Sequence, residues 1–174
     1  MIRTHKTRFG LMEIDDSKAI HFPSGMIGFP QETLFVLLAG REGRAVAYLQ
    51  SLRTPALAFP VIDGGTIGDG YPQPNPTELA ASVGIETVEP AVLVVVAAAG
   101  NPPTLYANLL APIIVDAGER RAAQIVLDPA RYSASVIVSP AIQTANDTTP
   151  ETPHFANMDA RESSHRPIAD ADSV

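Results

Sequence analysis

Ala91-Val92-Leu93-Val94-Val95-Val96-Ala97-Ala98-Ala99 is the stretch that decides the fold. It stops at Gly100-Asn101-Pro102-Pro103 and is followed by Thr104–Leu110, where Thr104, Tyr106 and Asn108 alternate with Leu105, Ala107 and Leu109. Nine apolar residues fall far short of the roughly twenty needed to cross a bilayer as a helix. Their β-branched middle, bounded by Gly and Pro, reads as a buried strand. The alternating segment after the turn reads as a second strand with one face inward and one outward.

Further strands follow on both sides. Pro112–Asp116, a turn at Ala117-Gly118 and Ala122–Leu127 predict a closing hairpin. Upstream, Leu34–Leu38, Ala45–Ser51 (after a turn at Arg41-Glu42-Gly43) and Ala56–Ile62 predict three more strands. Pro60, which lacks a ladder donor, argues for an edge or a bulge. Ile2–Phe9 and Leu11–Ile14 flank Gly10 as a hairpin or bent strand. One helix is predicted over Thr77–Val83. Asn75 serves as its cap, Pro76 takes the first position, Glu78 completes an Asn-x-x-Glu pattern, and Gly84 stands where a left-handed terminator is wanted. Many short strands with one short helix predict a mainly β protein, a small antiparallel β-barrel-like domain.

Composition sets the boundary of this domain. Residues 139–174 carry six acids and two Arg among Ser, Thr, Asn, Ala and Pro, with few large apolar residues. Such a segment cannot offset its ordering entropy by burial, so the expectation is a folded domain over 1–138 and a disordered acidic tail over 139–174. The whole chain of 174 residues has net charge −7 and no Cys. The absence of Cys excludes disulfides, thiolate metal sites and a Cys nucleophile. The negative charge disfavours nucleic acid and anionic membranes and points to a basic protein partner. The first residues contain no apolar stretch of the secretory type, so a cytoplasmic location is expected.

No catalytic constellation stands out. The four His form no metal-binding pair at helical spacing, and no Gly-x-Ser-x-Gly elbow exists. Asp63-Gly64-Gly65-Thr66-Ile67-Gly68-Asp69-Gly70 lacks the Lys of a phosphate loop and the spacing of a calcium loop, and reads as a mobile surface loop. No enzyme activity, cofactor or metal is expected. Arg120-Arg121 reads as a solvated pair near the Ala117-Gly118 turn.

Three segments, in order, resemble the flagellar assembly factor FliW family. They are Ile20-His21-Phe22-Pro23-Ser24-Gly25-Met26-Ile27-Gly28-Phe29; Tyr48-Leu49-Gln50-Ser51-Leu52 with Pro55–Phe59 and Asp63; and Thr104–Ile113 with Arg121, Gln124–Leu127 and Tyr132. The resemblance implies a non-enzymatic protein that binds the RNA-binding regulator CsrA, relieves its repression of flagellin translation, and also binds flagellin. It departs from the family at Gly64–Gly68, where aromatics are usual, at Ser135, where a basic residue is usual, and in the tail. An alternative within the resemblance is a flagellin chaperone without CsrA antagonism, and an alternative from the residues is a β-barrel ligand- or nucleic-acid-binding module.

The partner-binding candidates are of two kinds. Gln50 and Asn108 are amides inside apolar strands and need hydrogen-bond partners, within the fold or on a partner. Asp63, Asp69, Asp116, Glu119 and Asp128 fall in or beside turns, where a charge is exposed without disturbing the core.

Overall fold

The computed structural model describes residues 1–40, 45–71 and 74–138, with the side chains at 69 and 70 outside the description. The expected turn at 41–43 and the tail over 139–174 therefore lie outside the described residues.

The described residues contain eleven strands and one α-helix: β1 (Ile2–Thr7), β2 (Gly10–Asp15), β3 (Ile20–His21), β4 (Leu34–Leu38), β5 (Ala47–Ser51), β6 (Ala58–Asp63), α1 (Pro76–Ser82), β7 (Ala91–Ala99), β8 (Thr104–Ala107), β9 (Ile113–Asp116), β10 (Arg121–Gln124) and β11 (Val136–Ile137). The strands run β11-β8-β7-β6-β5-β4-β3-β10-β9, and a further pairing of β7 with β9 closes the sheet into a ring. The long Ala91–Ala99 run is what permits closure. Its first part pairs with β9 (Ala91↔Val115 to Leu93↔Ile113), and its last part pairs with β8 (Val96↔Ala107 to Ala99↔Thr104). All pairings are antiparallel except β3 with β10, which is parallel and rests on the single pair Arg121↔His21.

Strand alternation divides the residues between lumen and exterior. Phe22, Phe35, Leu49, Val61, Ile113, Val115 and Ala122 pack together inside the ring. Phe22, Phe35, Phe59 and Phe29 form a chain of tilted and edge-to-face rings, with centroids 5.0, 6.1 and 5.4 Å apart, from the lumen to the surface.

The outward faces are covered patch by patch. The β1–β2 hairpin lays Ile14, Met12 and Phe9 over Val36, Leu38 and Tyr48. Helix α1 covers Val92 and Ile114. The β8 and β11 arm, with Tyr71 and Tyr132, covers Ile62, Val94 and Val96. Burial on both faces explains why β4 and β9 read as continuous apolar runs rather than alternating ones.

Local signals appear where expected. Asn75 Oδ1 accepts from the amides of Thr77 (3.1 Å) and Glu78 (3.4 Å), and Gly84 has φ +68°. Glu78 reaches back to the Asn75 side-chain amide, at 2.9 Å. Gly25 is required on two counts: its φ is +68°, and a Cβ there would lie 2.6 Å from the Pro30 carbonyl oxygen.

Pro60 stands at a local edge, as expected: it pairs with Tyr48 on one side, and the β6–β7 pairing begins one residue later at Val61↔Val95, so the missing donor falls where β6 has no strand partner among the described residues. Other expectations are corrected. The 91–99 strand is not buried throughout. Val92, Val94 and Val96 are buried, whereas Ala97–Ala99 are exposed on the arm. The segment Gly64–Gly70 is not an irregular loop but two short 3-10 turns joined at Gly68. Gly64 is buried against Val92, and Ile67 packs onto the outer core.

Candidate functional site

Gln50 is fully buried, and every polar atom of its side chain is used within the fold. Its Oε1 accepts the Arg8 amide at 3.0 Å, and its Nε2 donates to the carbonyls of Ser51, Pro55 and Leu57 at 2.9 to 3.1 Å. One amide thus ties the hairpin tip to β5 and to the 52–57 turn. Asn108 plays a smaller part of the same kind: its Oδ1 accepts the Ala111 amide at 3.2 Å where the chain leaves β8.

Three of the five acids cap their own turns. Asp63 Oδ1 accepts from Gly65 (2.8 Å), Asp116 Oδ1 from Gly118 (2.9 Å) and Glu119 (3.2 Å), and Asp128 Oδ1 from Ala130 (2.9 Å). Short Asp side chains favour such bonds, which set the backbone for a turn. Asp63 and Asp128 remain exposed, but Asp116 is only 6% exposed, contrary to the expectation of an accessible loop charge. It ends β9 and is covered because the turn folds over it. The backbone of Asp69 lies in the 3-10 segment, and its side chain falls outside the described residues.

The fold brings two of the seven candidates together. Asp116 and Glu119 line one open cleft of about 530 Å³ with His21, Gly84, Ile85, Glu86 and Arg121. Three separate stretches meet there: the end of β3, the turn after α1, and the β9–β10 turn with the start of β10. Three acids and one arginine line it, so the cleft favours a cationic visitor over an anionic one. Gln50, Asn108, Asp63 and Asp128 lie elsewhere.

His21, Glu86 and Arg121 were not among the sequence candidates. His21 and Arg121 belong to the quoted segments, and their pairing across β3 and β10 makes them neighbours. Glu86 carries no local signal; it reaches the cleft through the Gly84 turn.

The described residues form a closed, filled β-barrel with outer patches covered by its own hairpin, helix and arm. The FliW protein family model matches residues 3–137. The flagellar assembly factor FliW of Heliobacterium modesticaldum is 36% identical over 141 residues, covering 80% of this chain and 92% of that one. The FliW of Syntrophus aciditrophicus is 34% identical over 127 residues, covering 72% and 80%. A crystal structure of the flagellar assembly factor FliW superposes with a TM-score of 0.68 at 27% identity, covering 79% of this chain and 98% of that one. The chain belongs to the FliW family of flagellar assembly factors. Among the described residues no helix is long and apolar enough to cross a membrane.

Proposed function

We propose that this protein is a non-enzymatic regulator of flagellar assembly that binds CsrA, relieves its repression of flagellin translation, and binds flagellin in competition with that role. The observation that carries the reading is the family match over nearly the whole of residues 3–137. The acidic cleft adds physical support. CsrA-type regulators bind RNA and so carry basic surface, and three carboxylates around one cleft suit such a partner. The reading places the protein in the cytoplasm, where translation and flagellin synthesis occur, with no direct nucleic-acid contact. Residues 1–138 form the working domain, and contact with CsrA away from its RNA surface makes the antagonism allosteric. Asp63, Asp69, Asp116, Glu119 and Asp128 remain the acids to test, with Gln50 and Asn108 as the amides.

Titration of the folded full chain against CsrA and against flagellin is the test. Binding to both is expected, with slower CsrA association as salt rises toward physiological strength, where the screening length is about 8 Å. Saturating RNA should weaken CsrA binding by a finite factor. Glu86→Gln and Glu119→Gln should each weaken CsrA binding by about two- to five-fold, the range of an exposed charge pair. No binding to either protein at tens of micromolar would sink the assignment; binding to flagellin alone would leave a chaperone without CsrA antagonism.

A further inference from the structure

The β1–β2 hairpin is a sheet of two strands, paired with each other from Ile2↔Asp15 to Thr7↔Gly10 and, among the described residues, with no other strand. Two strands alone are marginal in water, and an unpaired strand edge is a template for another segment. The hairpin also departs from the rest of the molecule in charge. Residues 1–18 hold four bases (Arg3, Lys6, Arg8, Lys18) against three acids, whereas 19–138 and 139–174 are each net −4. Three of the bases, Arg3, Lys6 and Arg8, lie on β1 and its turn, and Lys18 follows β2. The acids Glu13, Asp15 and Asp16 lie on or just beyond β2, where Asp16 holds Arg3 at 3.1 Å and His5 at 2.7 Å. The outer face of the hairpin carries Ile2 and Leu11, 68% and 76% exposed, with Thr4, Lys6 and Glu13 between them.

A segment that fits the β1 edge must be acidic, free of Pro and alternating. Ile168-Ala169-Asp170-Ala171-Asp172-Ser173-Val174 has all three properties, and the other stretches of the tail are broken by Pro140, Pro150, Pro153 and Pro167 or lack the alternation. We propose that residues 168–174 of the chain dock on the open edge of β1 as a third, antiparallel strand.

In that register Val174 stands opposite Ile2, Asp172 opposite Thr4 and Asp170 opposite Lys6. An apolar pair and an ion pair thus lie on the exposed face. Ala169, Ala171 and Ser173 then turn their small side chains to the face that packs on the barrel. Main-chain hydrogen bonds supply the attraction, and the charges choose the partner, as in other strand additions. The same charges turn away a second copy, because β1 against β1 would set basic edges together. Reach is no obstacle. Twenty-nine residues lie between Val138 and Ile168, and as a coil they would span roughly 30 Å, about twice the radius of gyration of roughly 14 Å expected for a domain of residues 1–138.

Lys6 and Lys18 are the only lysines in the chain, which makes the test specific. The full chain, mixed equally with an isotope-labelled copy and kept dilute, is treated with a zero-length carbodiimide, and the linked peptides are mapped by mass spectrometry. An amide between Lys6 and Asp170 or Asp172 within one chain is the expected product. Links shared equally by Lys6 and Lys18, links of Lys6 to Glu13 alone, or links found only between labelled and unlabelled chains would overturn the proposal. Hydrogen exchange gives a second reading. In this register Ile2, Thr4 and Lys6, which β2 does not engage, bond to residues 174, 172 and 170; Asp172→Pro removes the donor to the Thr4 carbonyl together with the charge, outside the folded domain, and the amides of Ile2, Thr4 and Lys6 should then exchange at least about threefold faster. Unchanged exchange in that variant would equally overturn it.

Discussion

The ring and the hairpin are built of the same kind of strand but are held in opposite ways. In the ring, the pairing of β7 with β9 closes the sheet on itself, and the lumen is filled by Phe22, Phe35, Leu49, Val61 and Ile113, each essentially unexposed. The hairpin pairs with no other strand among the described residues and rests on the ring through Ile14, Met12, Phe9 and hydrogen bonds from the Arg8 amide to Gln50 and from its guanidinium to the Ala56 carbonyl. The ring therefore unfolds as a unit, whereas the hairpin can be loosened by itself. The family resemblance spans both parts, but the three segments quoted for it all come from the ring and its arm.

The largest effect separating the two comes from Phe35→Ala. Phe35 is wholly buried and touches the rings of Phe22 and Phe59. Its truncation should cost about 3–5 kcal/mol in chemical denaturation, with ring and hairpin lost in one transition. Ile14→Ala, in the contact between hairpin and ring, should cost about 2–4 kcal/mol. Its mark is uneven: β1 and β2 amides should exchange much faster while β4 to β7 keep most of their protection. Equal loss of protection throughout would show that hairpin and ring are one cooperative unit.

Gln50→Ala leaves the Arg8 amide and the Pro55 carbonyl without the Gln50 side chain, at a cost of about 2–3 kcal/mol, while the Leu57 carbonyl keeps the Ser51 amide. Asn75→Ala should cost about 1 kcal/mol, since the cap serves a helix of only seven residues on the outside of the ring. Tyr71 supplies the smallest change. It is buried against Tyr132, its hydroxyl has no hydrogen-bond partner among the described residues, and burial raises its pKa to about 12. Tyr71→Phe should leave stability unchanged or raise it by up to about 1 kcal/mol, because a buried hydroxyl without a partner is a cost removed. A loss of more than that would reveal a partner.

A pH titration sharpens the ring's own rim. Burial pushes the Glu32 carboxyl up, but the hydroxyls of Ser51 and Thr54 and the charge of Arg53 hold it below its ordinary value. A carboxylate depressed in the folded state contributes stability above its unfolded pKa, and that contribution is lost as pH falls below the ordinary Glu value. Denaturation midpoints should therefore drop on acidification, and Glu32→Gln should flatten part of that drop.

Much of this molecule was written locally. The Asn75–Pro76–Glu78 start and Gly84 stop of α1, the alternation of 104–110 and the β9–β10 hairpin depend on neighbours within a few residues, where propensity, capping and periodicity act. The need for Gly at 25 is set in part by Pro30, five residues on, whose carbonyl oxygen would lie 2.6 Å from a Cβ there. What the tertiary structure decided depends on residues distant in sequence. Closure of the ring needs two different strands to share β7, and the single parallel contact of β3 with β10 joins positions a hundred residues apart. Gln50 showed itself as a buried amide, but its satisfaction by Arg8 arises only once the hairpin lies on β5. Asp116 read as an exposed turn acid because sequence reports the turn and not what folds over it. The cleft that joins it to Glu86, His21 and Arg121 exists because three separate segments meet, and no local pattern encodes a meeting of that kind.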